Sequence, residues 1–84
     1  MYLSLGKNTS VRLSEIVAVF DLDTSSYSQL TREYLSRAEK AGLTVNLSDD
    51  LPKSLVLCEE GGESRAYLCS LAPATLQKRA ESGQ

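Results

Sequence analysis

The 84-residue chain contains no histidine, so it lacks both the commonest metal ligand and the side chain best suited to general acid–base work near neutral pH. It has two cysteines, Cys58 and Cys69, too few to complete an ordinary zinc site without histidine. Their apolar neighbours mark them as buried core thiols. No Gly-rich phosphate loop, Ser-His-Asp set or aromatic cage is present, so no catalytic residue, cofactor, metal or small-molecule ligand is expected. No apolar run approaches the roughly 20 residues of a membrane helix. The opening Met1-Tyr2-Leu3-Ser4-Leu5-Gly6-Lys7 has no basic region followed by an apolar stretch, so no secretory signal is expected. The expectation is a cytoplasmic protein with no membrane partner and with reduced thiols. An excess of cations is missing too. Nine Lys and Arg against eleven Asp and Glu give −2 and a pI near 5.0, the wrong sign for a monomer that coats itself with nucleic acid. Any DNA binding must come from a local patch.

What is present is an ordinary globular balance, 42% apolar and 24% charged, which excludes a disordered or multidomain chain. One domain is expected over residues 1–81, with a frayed tail at 82–84. A chain of this size buries only about 60% of the surface its unfolded form exposes, so self-association is an expected source of further stability. Tyr2 to Leu5 alternates weakly and ends at Gly6, and Val11 to Leu13 is the expected hairpin partner. Ser14-Glu15 offers a tight turn or a single helical turn. Ile16-Val17-Ala18-Val19-Phe20 is apolar without alternation, the pattern of a strand covered on both faces, with a helix or a neighbouring subunit as the second cover.

A helix is predicted over about 26–41, with caps offered by Asp23-Thr24-Ser25-Ser26 and a stripe of Tyr27, Leu30, Tyr34, Ala38 and Ala41. Gly42 ends it. Thr44 to Leu47 has the composition of a short edge strand, and Ser48 to Pro52 that of a loop. Ser54 to Cys58 and Arg65 to Cys69 flank Glu59-Glu60-Gly61-Gly62-Glu63, a hairpin signal. With Gly61-Gly62 as the turn, Glu60 faces Glu63, Cys58 faces Arg65 and Cys69 faces Ser54, an offset that excludes a disulfide. A second helix is predicted over about 73–81, with Pro73 at its first position and Leu76 and Ala80 on one side. The fold class is therefore α+β, a small antiparallel sheet with one long and one C-terminal helix. The tyrosines Tyr2, Tyr27, Tyr34 and Tyr67 fall at positions expected to be half buried, so core packing is the better reading for them than base stacking.

Val17 to Thr24 ends in Asp21-x-Asp23-Thr24 and resembles the first motif of haloacid dehalogenase-type phosphatases, where two carboxylates past a strand end serve as nucleophile and acid/base beside Mg²⁺. That fold needs a parallel sheet with several crossover helices, which this chain does not offer, so strand-end and N-cap roles are the stronger reading for Asp21 and Asp23. Charge by segment is more informative. Residues 49–63 hold five acids against Lys53 alone, whereas residues 64–84 hold Arg65, Lys78 and Arg79 against Glu81. In an oligomer even two or three such cations per subunit act together on a polyanion.

Met1 to Gly6, Ile16 to Asp23, Leu51 to Val56 and Ala74 to Ala80 together resemble the small bacterial extracellular matrix regulators typified by RemA, most closely the RemB branch. The resemblance spans Met1 to about Ala80. It implies a non-enzymatic cytoplasmic regulator of biofilm-matrix genes, a fold similar to LytTR-type DNA-binding domains, ring-shaped homo-oligomers, and promoter DNA as partner, with a paralogous regulator as a further one. In the RemA branch, arginines in the turn before the third strand and in the loop before the hairpin carry DNA contact. The matching stretches here read Ser14-Glu15-Ile16 and Asp49-Asp50-Leu51-Pro52-Lys53, so only Lys53 is cationic. Direct contact by this chain is expected first from Lys53, Lys78 and Arg79, and second from Arg32, Arg37 and Lys40. An interaction module of the same family that does not touch DNA is the alternative.

Overall fold

A computed structural model of the chain describes residues 1–22, 29–48 and 51–81, and, within 29–48, the side chains from Arg32 onward. The proposed caps at Asp23 to Ser26, Tyr27 and the Leu30 side chain of the helical stripe, Asp49, Asp50 and the tail at 82–84 lie outside the described residues. Two small sheets and two helices make an α+β fold.

The first sheet is a hairpin of β1 (Tyr2–Gly6) and β2 (Thr9–Arg12). Its turn is Lys7-Asn8, both in the left-handed region at φ 48° and 60°, which matches the twist of the flanking strands. Pairing therefore resumes at Thr9, earlier than the expected Val11. Leu13 leaves the strand for a 3₁₀ turn, Leu13–Glu15, while its N–H still donates to the Met1 carbonyl at 3.0 Å.

The second sheet holds β3 (Ile16–Asp21), β4 (Thr44–Asn46), β5 (Ser54–Glu60) and β6 (Glu63–Cys69) in the order β3-β5-β6-β4. The Gly61-Gly62 turn sets the β5–β6 register, with Glu60 opposite Glu63, Cys58 opposite Arg65 and Ser54 opposite Cys69. Cys58 and Cys69 are buried and free. The sheet is not wholly antiparallel, because β4 runs parallel to β6. Since β3 opposes β5 and β5 opposes β6, strands β3 and β4 point the same way and are joined through α1 (Gln29–Lys40) as a crossover.

Helix α1 ends as its sequence requires. Gly42 takes φ 73°, its N–H donates to Glu39 at 3.1 Å, and the Leu43 N–H donates to Ala38 at 2.9 Å, the paired bonds of a Schellman motif. Ala38 is buried and Tyr34 half-buried on the inner side, joined by Leu35, but Ala41 is exposed because the chain turns away there. Helix α2 (Pro73–Glu81) begins at Pro73, as predicted, and buries Leu76.

Alternation along the strands gives the second sheet two different faces. Leu55 and Ala66 pack with Ala38 of α1 and with Phe20, Leu22, Tyr34, Leu35, Leu43 and Leu68. Val56, Cys58, Tyr67 and Cys69 pack instead on Leu3, Leu5 and Val11 of the hairpin and on Leu76 of α2. The central sheet is thus sandwiched between a helix and a hairpin-plus-helix layer. Strand β3 is the edge strand and is only half covered, contrary to its apolar sequence: Val17 is 60% and Val19 39% exposed. A bulge between Ile16 and Ala18 leaves Val17 without a partner on β5.

Candidate nucleic-acid interface

The six cations expected to meet DNA do not share one surface. Arg32, Arg37 and Lys40 are exposed on α1, over one face of the central sheet. Arg37 borders a shallow groove of about 330 Å³ with Tyr34, Ala41, Leu43 and Ser64. Lys78 and Arg79 belong to α2, over the opposite face. Lys53 sits where three segments meet: its N–H donates to Cys69 and its carbonyl accepts from Leu22, both at 2.8 Å, and the side chain is exposed. Arg79 is half-buried and its Nη1 donates to the Ser4 carbonyl at 3.3 Å, so part of its role is to fasten α2 to the middle of β1.

That fastening brings in two cations that the sequence reading missed, Lys7 and Arg12. Both stand in the first fourteen residues, a stretch with no carboxylate, and this local imbalance was the signal available. Lys7 occupies the hairpin turn. Arg12 lies opposite Tyr2 in the ladder, its Nε donating to the Tyr2 hydroxyl at 3.3 Å and its guanidinium carbon 5.8 Å from the ring centroid. The hydrogen bond to Tyr2, with smaller electrostatic contributions from Tyr2 and Glu15, raises the Arg12 pKa further and keeps it charged. Tyr2 is 54% exposed rather than a core residue, since Leu3 and Leu5 take the inward positions of β1 and turn Tyr2 and Ser4 outward. Tyr34, half-buried against the α1 side of the core, and Tyr67, at 6% exposure, meet the core expectation, and Tyr27 lies outside the described residues.

The charge division follows the fold. The hairpin and α2 carry Lys7, Arg12, Lys78 and Arg79 against Glu81 alone, a net +3, and the remaining residues therefore carry −5 of the chain's total of −2. The far end of the β5–β6 hairpin is acidic, with Glu59, Glu60 and Glu63. The contact of Arg65 with Glu60 at 3.9 Å joins two substantially exposed side chains and contributes little.

A third feature is apolar. Between the edge strand β3 and α2 runs an open groove of about 470 Å³, lined by Leu13, Ile16, Val19, Pro73, Leu76 and Ala80 among others. Asp21 is exposed at the end of this strand, and Asp23 lies outside the described residues. Among the described residues no three His, Cys, Asp or Glu side chains are grouped as a metal ion would require. No described helix is long and apolar enough to cross a membrane. Cys58, fully buried, has its thiol pushed up to about 11, chiefly by desolvation and then by the nearby Glu60 and Glu15. Cys69 donates from Sγ to the Leu5 carbonyl at 3.2 Å and accepts from the Leu71 N–H at 3.4 Å, which ties β6, β1 and the approach to α2 together.

Comparison with protein-family models finds no match for the chain, and a search of curated proteins finds no similar sequence.

Proposed function

We propose that the chain is a non-enzymatic, self-associating DNA-binding regulator of the bacterial extracellular-matrix type, working in the cytoplasm and built on a LytTR-like topology. The observation that carries the reading is the outer edge of β3. Among the described residues it pairs with nothing, five of its six residues are uncharged, and Val17 and Val19 stand exposed beside an apolar groove. Edge strands that remain alone are normally short, charged or covered. The opposite edge, β4, obeys that rule with three residues ending in Asn46. Joining copies through β3 repeats the +3 of the hairpin and α2 around the assembly, where weak phosphate contacts become multivalent. The four segments that resemble the matrix regulators fall on β1, β3, the entry to β5 and α2, the elements that frame this edge and this cationic layer.

The test has two parts. Native mass spectrometry of the full chain at micromolar concentration is expected to give oligomers, reduced to monomer by Val19→Lys with the fold retained by circular dichroism. A mobility shift on matrix-operon promoter DNA is expected at low salt and weakened by Lys53→Glu and Lys78→Glu. Lone, folded wild-type molecules, or no shift at low salt, would refute the reading. The acidic end of the β5–β6 hairpin supports a second reading, an assembly module that recruits a cationic partner protein and touches no DNA. Recovery of protein without nucleic acid in a pull-down distinguishes it.

A further inference from the structure

We infer that the outward face of the β1–β2 hairpin, centred on Arg12 with Tyr2 and Lys7, is the seat for the phosphate backbone of duplex DNA, continuous with Lys78 on α2. The inference rests on the DNA-binding reading above and names its contact surface, using residues outside the set expected from the sequence.

Three observations carry it. The first is the sign of the charge, since the hairpin has two cations and no carboxylate and adjoins the helix that carries two more. Among the described residues, carboxylates on adjoining elements include Glu81, whose Oε2 accepts from Gln77 Nε2 at 3.2 Å, and Glu15 on the 3₁₀ turn. The second is order. Arg12 is exposed yet held by Tyr2 through Nε, so less rotamer freedom is lost when its terminal amino groups meet a phosphate as a planar fork. The bond from Arg79 to the Ser4 carbonyl ties α2 to the hairpin, so the two cation-bearing elements are neighbours in one layer. The third is what the surface lacks. Tyr2 is the single aromatic side chain of the hairpin and Arg12 lies against its ring, so the hairpin lacks the row of open aromatic faces on which successive bases stack. Its other outward groups are small hydroxyls, Ser4 and Ser10, which suit backbone oxygens. That combination favours duplex backbone over single strands.

The test is fluorescence anisotropy of a labelled duplex with the full chain across a salt series. Arg12→Glu and Lys7→Glu are each expected to weaken binding by about tenfold, equally for unrelated sequences, and to lower the log–log salt slope by about 1 or more. Arg37→Glu, on the other face, should change affinity less than about twofold, the size of a rim effect. Circular dichroism checks the fold, and Arg12→Gln, which removes the charge without reversing it, serves if Arg12→Glu unfolds. Wild-type binding that ignores Arg12→Glu and Lys7→Glu would overturn this inference and leave the regulator reading standing. No duplex binding by the wild type at low salt would overturn both. Equal binding to polyglutamate or to anionic vesicles, lost in the same variants, or a clear preference for single strands, would overturn the assignment to duplex DNA.

Discussion

The two faces of the central sheet are covered by different means. On one, α1 lays Ala38 against Leu55 and Ala66, with its larger described side chains, Tyr34 and Leu35, only half buried and charges of both signs outside. On the other, Leu3, Leu5, Val11 and Leu76, each no more than 2% exposed, seal the sheet beneath an outer surface of net +3. Among the described residues the longer helix, with the clearer amphipathic stripe, is thus the lighter cover. A short hairpin and a nine-residue helix hold the larger part of the described core and, with it, the concentrated positive charge. Stability and the candidate interface are coupled, because the side chains that dock the hairpin and α2 also set where their cations stand.

The comparison can be broken most directly by truncation. Leu76→Ala is expected to cost about 2–5 kcal/mol, and Leu35→Ala, starting half exposed, about 1 kcal/mol, both read from urea unfolding. A larger loss for Leu35→Ala would reverse the assignment of the main core. Next in size, Ser54→Ala removes a buried hydroxyl that donates to the Leu71 carbonyl at 2.6 Å, just before α2. A loss of about 1–3 kcal/mol is expected. If that contact only decorates the loop, unfolding free energy will not move.

On the α1 side, Gly42→Ala should cost about 1 kcal/mol. A Cβ there meets nothing within 4 Å, so the loss is wholly the strain of φ 73°. An effect silent at neutral pH is a pH dependence belonging to the hairpin face. Burial raises the Cys58 thiol from its ordinary 9.0 to about 11, and raises Tyr67 as well. The folded state therefore keeps protons that the unfolded state releases, and the protection is complete below about pH 9 and fades as the pH rises toward 11. Cys58→Ala should flatten part of that decline in a denaturation series.

Much of the fold is legible in local signals. The Gly61-Gly62 turn gives the β5–β6 register residue by residue, Gly42 marks the end of α1, and Pro73 the start of α2. Each works because a backbone conformation is accessible to few residue types. Within the single chain the cover expected for β3 is incomplete, since an apolar run records that burial is favourable without saying whether a helix or a neighbouring subunit supplies it. The parallel pairing of β4 was likewise hidden, because a strand's direction depends on the crossover through α1 and not on its own three residues. Of the candidate interface, Lys78 and Arg79 were legible from charge counting. Lys7 and Arg12 carried the same kind of signal in a carboxylate-free opening stretch, but their place beside α2, more than sixty residues away in the chain, was set by the docking of α2 on β1.

Composition and local pattern by themselves determined an α+β chain with two buried, unpaired thiols and a GG-turned hairpin, because turns, caps and alternation act over a few residues. Only the tertiary structure decided that β3 keeps an open edge, that Arg79 is partly a tether, and that a chain of net −2 presents a +3 layer. Electrostatic potential depends on distances in space, and the packing of Leu3, Leu5, Val11 and Leu76 against the sheet is what sets those distances.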